Sequence, residues 1–426
     1  MDNCTRKLLD LTDMNISFSD QNWLIQEKCG NVTADIIVGE LTYKPLCCEK
    51  CGEINHGQII SNGTVKTTTQ LPVFNRHLTF LRLRRTRFLC HSCGSTFVAK
   101  TPIVEENHHI SKALECQILL DLKKLRSRKE IAQDHFVSDT TIMRIQRKFV
   151  KNYRINLDYL PETLCVDEFK STKSCSGSMS FICVDGDSGK LLEILEDRRL
   201  NKLTQHFFRY SIKARRRVKY FVMDMNASYA QLIQTIFPNA ELIIDRFHIV
   251  QHMNRNFNRL RIKVMNSFKK DACAQKKYRR LKRFWKLLLK KSSDLNTSRW
   301  TYIKLFKRPM NQLDIVNELL SYDETLNLAY QTVQHMRNCL QHNDPECFFK
   351  QIDNLDKELP QWFREKFKVF KKYRNGVENA FVLPYSNGIT EGINNKIKTI
   401  KRVSFGYRNF FNLRDRIYLI QGLVFS

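Results

Sequence analysis

The sequence predicts an α/β protein with a sheet domain of order βββαβαβ, interrupted by an all-α basic insertion and preceded by a cysteine ribbon and three short helices. Three observations predict it. Short apolar runs with turn residues between them follow Pro161, helical periodicity dominates from Asp245 to Asn375, and two Cys-x2-Cys pairs stand upstream of both.

Composition narrows the class of function. The chain of 426 residues carries 71 Lys and Arg against 43 Asp and Glu, a formal charge of +28, with a pI near 9.6. Such an excess favours a polyanionic partner, nucleic acid first. No run approaches the length of a spanning helix, and the opening MDNCTRKLLDLTD lacks an apolar signal core. The expectation is a soluble, cytoplasmic protein with no membrane role. Most of the 14 cysteines stand singly, which suits a reducing compartment, so the paired ones point to metal.

Residues 1–46 hold seven acids and four bases, with scattered apolar residues. No chemistry is assigned to them. In residues 47–104, Cys48-x2-Cys51 and Cys90-x2-Cys93 are separated by 38 residues, each pair followed by glycine, Gly52 or Gly94. Two such turns aim four sulfurs at one tetrahedral ion, zinc above others. Cys47, His56 and His91 remain as substitutes for one ligand. Between the pairs, Leu81 and Leu83 alternate with Arg82 and Arg84 at a strand period. That predicts a hairpin with one basic face able to contact DNA.

Residues 105–160 read as a helix-turn-helix. Ser111 caps KALECQILLDLKKL, a short helix covers Arg128 to His135, Phe136 and Val137 turn, and Ser138 caps a helix to about Tyr153. Packing Ile131 and Ala132 against Ile142, Ile145 and Phe149 would expose Thr140, Thr141, Arg144, Arg147 and Lys148. Those side chains suit base edges and phosphates.

Residues 161–252 supply the strands. Leu164 to Phe169, Met179 to Asp185 and Leu191 to Glu196 form a predicted antiparallel meander; a helix (about Asn201 to Ala214), a strand (Val218 to Asp224), a helix (about Ala227 to Phe237) and a strand (Leu242 to Ile244) follow. Asp167 and Asp224 close the first and fourth strands, where a buried charge is costly unless paired or metal-bound. In residues 253–376, Asn254 to Lys291 holds 15 Lys and Arg against Asp271, with Phe257, Phe268, Tyr278, Phe284 and Trp285 interleaved. One side can pack while the other tracks phosphates. Asn375-Gly376 reads as a loop.

Residues 377–426 contain YSNGITEGINNKIKTIKRVSFGY, Tyr385 to Tyr407. Ile389, Ile393, Ile397 and Ile400 mark one helical face; Glu391, Asn395, Lys398 and Arg402 mark another. A carboxylate heading a line of amide and cationic groups suits a metal ion beside a phosphate backbone, with Asn394 an alternative to Asn395. Periodicity alone favours a solvated amphipathic face.

Four blocks carry a resemblance: Val166-Asp167-Glu168-Phe169 with Phe181 to Asp185; Val222-Met223-Asp224-Met225 with Tyr229; Ile244-Asp245-Arg246-Phe247-His248; and Ser386 to Lys398 with Gly406 to Phe410. From about Cys48 to Gln421 the chain resembles bacterial insertion-sequence transposases of the IS-L-three group, with a zinc ribbon, a helix-turn-helix and a DDE core. The resemblance implies a ribonuclease-H-like fold and catalytic, metal-binding acids at Asp167, Asp224 and Glu391. It further implies two Mg²⁺ ions (Mn²⁺ as substitute), one structural Zn²⁺, and strand cleavage followed by 3′-hydroxyl transfer. Its DNA partners would be double-stranded terminal inverted repeats and a target, engaged by a homodimer. Asp245 and His248 match an Asp-x2-His element and are expected to orient the site. Two rivals are a DNA-binding regulator with an inert core and a ribonuclease-H-like nuclease that joins nothing.

Overall fold

A computed structural model describes residues 1–151, 153–225, 233–269, 271 and 273–423. Tyr229 and most of the helix expected from Ala227 lie outside the described residues; 233–236 are helical. The chain divides into two compact units: Met1–Arg154 with Thr172–Ser174 and Lys396–Ser426, and Ile155–Ser171 with Cys175–Asn395.

The first unit is built on a six-stranded sheet: β1 (Ile16–Ser17), β2 (Leu24–Cys29), β3 (Val32–Leu41), β4 (Ile59–Gln70), β5 (Leu78–Cys90) and β6 (Thr96–Val98). The hairpin foreseen between the cysteine pairs is β4–β5, antiparallel from Ile59 opposite Cys90 to Gln70 opposite Phe80. The acidic segment 1–46 supplies the other side of the sheet, because β3 runs parallel to β5 and buries Ala34, Ile36, Ile37 and Leu41. Gly39 is required there, since a Cβ would stand 2.9 Å from the Phe18 ring.

Three helices follow, Lys112–Leu122, Arg128–Asp134 and Asp139–Val150, each capped by a serine (Ser111, Ser127, Ser138) accepting a hydrogen bond from the first turn. Phe136 makes the intervening turn in the left-handed region at φ 53°. Helix Phe410–Ile420, expected to complete the sheet domain, packs on these helices instead. Its Arg416 is 1% exposed, and one Nη2 donates to the Lys124 and Arg126 carbonyls at 3.0 and 2.7 Å. That contact ties the helix to the loop after Lys112–Leu122.

The second unit is mixed α/β. Its strands are β7 (Thr163–Lys170), β8 (Met179–Asp185), β9 (Leu191–Leu195), β10 (Tyr220–Met223) and β11 (Glu241–Ile244), ordered β11-β10-β7-β8-β9. β7, β8 and β9 form the antiparallel meander, and β10 and β11 run parallel to β7. The single helix expected after β9 is two, Leu200–Phe207 and Ile212–Arg217, because Ser211 caps the second.

The insertion starts with Arg246–Ser267 and continues through helices of four to 18 residues, among them Glu324–Gln341, Pro345–Asp353 and Gln361–Lys372. It is not wholly helical: Thr301–Ile303 and Arg308–Met310 form a short antiparallel hairpin. Phe348, Phe363, Phe367, Phe370 and Phe381 fill its core. Asn375-Gly376 lies within helix Arg374–Val382 rather than in a loop. A Cβ on Gly376 would be 2.9 Å from Leu242 and 3.2 Å from Ile244, so the glycine lets this helix lie directly against β11. No helix among the described residues is long and apolar enough to cross a membrane.

Candidate catalytic and metal centres

The sheet register creates a row of acids. Val222 of β10 pairs with Cys165 of β7, and Met223 pairs with Ile244 of β11. Continuing each register places Asp224 beside Asp167 on one side and beside Asp245 on the other. Asp167 therefore sits within β7, not at its end, while Asp224 and Asp245 leave the ends of their strands.

Asp224, Asp245 and His248 bring ligand atoms within 4.8 Å of one another. His248 Nε2 is 2.6 Å from Asp224 Oδ1 and 3.9 Å from Asp245 Oδ2. Burial opposes the imidazolium, but the Asp224 hydrogen bond and the surrounding carboxylates outweigh it and raise the His248 pKa. Burial raises that of Asp245 also. Asp167 is pushed up to about 6, by burial first and by the Asp224 charge second, against hydrogen bonds from the Glu168 N–H and Asn394.

Two asparagines that the sequence did not rank pin the next helix, Gly388–Val403, to this row. Asn394 Nδ2 donates to Asp167 Oδ2 at 2.6 Å. Asn387 donates its backbone N–H to Asp245 Oδ1 at 3.3 Å and its Nδ2 to the Val166 carbonyl at 3.0 Å. Ile393, Ile397 and Ile400 are buried as expected, whereas Ile389 is 39% exposed. Glu391 is exposed one turn before Asn394, and Asn395, Lys398 and Arg402 are exposed further along. Glu391 is outside the cluster of Asp224, Asp245 and His248. The Asn394 and Asn387 amide oxygens are buried without hydrogen-bond partners. Crowded carboxylates beside unsatisfied oxygens are a donor set that fits hard divalent cations.

A family model described as Transposase, of the DDE ISL3 type, matches residues 164–417, more than half the chain. The chain belongs to the ISL3 family of transposases. A second model, the helix-turn-helix domain of transposase family ISL3, matches residues 99–150 of the transposase. The transposase for insertion sequence element IS1001 of Bordetella parapertussis is 25% identical over 382 residues, 88% of this chain and 89% of that one. A stretch of 133 residues is 31% identical to a Lactococcus lactis subsp. lactis protein named ATP-dependent protease, covering 31% of this chain and 43% of that protein.

This transposase is thus a nucleic-acid-modifying enzyme with a DNA-binding helix-turn-helix. In its helix Asp139–Val150, Ile142 and Ile145 are buried, as are Ile131 and Ala132 on the helix it packs against, with Phe149 half-buried. Thr140, Arg144 and Arg147 are exposed and Thr141 is half-buried. Both threonine hydroxyls meet Ser138 Oγ, at 2.7 and 3.0 Å. Arg147 donates to Asn412 Oδ1 at 3.0 Å, and Lys148 is held by Glu115 at 2.7 Å and Glu105 at 2.8 Å. The two strand arginines are also engaged: Arg82 pairs with Glu27 at 2.7 Å and Arg84 with Glu40 at 3.5 Å. Both acids come from the segment that carried no assigned role.

The transposase also gathers Cys48, Cys51, Cys90 and Cys93 within 4.8 Å. Cys48 to Cys93 is 3.7 Å and Cys51 to Cys90 is 3.8 Å between sulfurs. A tetrahedral ion with metal–sulfur bonds of about 2.3 Å has sulfur edges of about 3.8 Å. The two turns match each other: Gly52 N–H donates to the Cys48 carbonyl at 2.9 Å and Gly94 N–H to that of Cys90 at 2.8 Å, with both glycines at positive φ (76° and 69°). N–H groups of Cys51 and Lys50 help bring the Cys48 thiol down to about 6. Cys47, His56 and His91 are not part of the cluster.

Proposed function

We propose that this transposase binds the terminal inverted repeats of an insertion sequence, cleaves the strand at their ends, and joins the freed 3′-hydroxyl to target DNA. The sheet is read as a ribonuclease-H-like core with Asp167, Asp224 and Glu391 as catalytic acids. The observation that carries this is the register of Asp167 and Asp224 on adjacent parallel strands, with the Glu391 helix pinned beside them through Asn394 and Asp167. Asp167, Asp224 and Glu391 would hold two Mg²⁺ ions, Mn²⁺ substituting, which supply Lewis acidity to the attacking and leaving oxygens.

The chain's own residues then have distinct tasks. Asn394 fixes the Asp167 carboxylate, and His248 with Asp245 orients Asp224. Lys398 and Arg402, exposed on the helix that carries Glu391 in its first turn, receive the phosphate backbone. Helix Asp139–Val150 reads the repeats, Cys48, Cys51, Cys90 and Cys93 hold a structural Zn²⁺, and a homodimer brings two ends together. The decisive experiment incubates the purified protein and Mg²⁺ with DNA carrying its own flanking inverted repeats, then maps cuts and joined strands. Cuts at the repeat ends with joined product are expected. Binding without metal-dependent cutting would favour a regulator, and cutting without joining a nuclease.

His248→Ala should slow cleavage by roughly ten- to a hundredfold without abolishing it, the usual range for a residue that orients a metal ligand. Single-turnover cleavage checks this, and wild-type rates would remove His248 from the site. For end binding, Arg144→Ala should weaken affinity for the repeat and lower the salt slope by about one. Arg82→Ala should do less, because Glu27 already neutralises that guanidinium. Gel-shift titrations at several salt concentrations separate the two.

A further inference from the structure

We propose that His335, Cys339 and Cys347 form a second metal site, in the helical insertion, taking a thiophilic divalent cation of the zinc class with solvent as fourth ligand. His335 and Cys339 lie four residues apart on helix Glu324–Gln341 and so share a face. The helix ends, Asn343 turns the chain at φ 54°, and Asp344 caps helix Pro345–Asp353 by accepting from the Cys347 N–H at 2.8 Å. That cap sets Cys347 on the first turn. Its sulfur is 3.3 Å from His335 Nε2 and 2.8 Å from Cys339 Sγ, and the three ligand atoms lie within 4.8 Å of one another.

Burial is graded across the group: Cys339 is buried, Cys347 half-buried and His335 exposed. A site closed behind and open in front matches three protein ligands plus an exchangeable position. Bond lengths of about 2.0 Å to nitrogen and 2.3 Å to sulfur give a tetrahedral nitrogen–sulfur edge of about 3.5 Å and a sulfur–sulfur edge of about 3.8 Å. The His335–Cys347 spacing already fits, and the sulfurs need to part by about 1 Å, with Cys347 on the more open side. The ion would staple two consecutive helices across the Asn343 turn. That turn is itself tied to Arg246, whose Nη2 donates to Asn343 Oδ1 at 2.8 Å and which follows Asp245 directly. The competing fate of two thiols this close is a disulfide, in which the imidazole has no part.

The test is the metal content of full-length protein loaded with zinc under reducing conditions and desalted. Wild type should hold one more ion per chain than either Cys347→Ser or His335→Gln, whatever the Cys48 cluster holds. His335→Gln alters an exposed side chain, so its loss of an ion is not explained by misfolding. Two results would overturn the proposal: unchanged zinc content in both variants, or a Cys339–Cys347 disulfide in unreduced protein whose reduction adds no zinc.

Discussion

Asp167→Asn is expected to abolish strand cleavage and, in the same protein, to raise thermal stability in EDTA at pH 7.5. The two effects have one cause. Burial and the neighbouring Asp224 charge hold the Asp167 carboxyl at about 6 in the folded chain, against an ordinary value of 3.8. A raised acid contributes its stability in full below the ordinary pKa, and the contribution is lost as pH rises through the folded value. Above pH 6 the metal-free protein therefore carries a charge its surroundings oppose. Two pKa units correspond to about 3 kcal/mol at most. A neutral amide removes that penalty, so the thermal midpoint should rise by several degrees at pH 7.5, and the gain should vanish near pH 4. Cleavage should fall by at least about a thousandfold, since one of the three carboxylates proposed to hold the metal is gone. Binding to repeat ends should persist. A variant that still cuts would sink the site assignment, and one with no stability gain at pH 7.5 would show that Asp167 is not strained in the folded chain.

The sheet was legible because its strands announce themselves. LCV before Asp167 and MSFICV before Asp185 are apolar runs, as strands covered on both faces require. Once β7 and β10 are neighbours and parallel, Asp167 within the first and Asp224 just past the second fall side by side. The rest needed contacts remote in sequence. Asn394 and Asp167 are 227 residues apart, and nothing in the local pattern of Asn394-Asn395 says which amide turns inward. The hydrogen bonds of Asn387 to Asp245 and Val166 likewise have no local trace. Strand β3 is hidden for a related reason. Its buried positions break strict alternation, and one of its partners, β5, is parallel and lies beyond another strand. The acids Glu27 and Glu40 that made segment 1–46 look inert are the partners of Arg82 and Arg84.

Cys90→Ser is expected to cost the protein one bound ion and to loosen the six-stranded sheet, whereas Cys47→Ser should do neither. Cys90 is fully buried at the end of β5, and Cys48 is 1% exposed; both pack in one core with Leu81, Phe88 and Phe97. With the ion bound, four sulfurs share one cation. Removing one ligand leaves a hydroxyl and three crowded thiols in an apolar wall, with no charge to hold them together. Structural zinc in small domains supplies about 10 kcal/mol or more of folding free energy. The sheet here has its own apolar core, so the loss should be smaller yet still a large fraction of domain stability. Cys47 is exposed and outside the cluster, so its removal should not change the ion content. Zinc content and limited proteolysis distinguish the outcomes. Cys90→Ser should lose the ion and open new cleavage sites within residues 47–104, and equal zinc content in both variants would refute the assignment of Cys90 as a ligand.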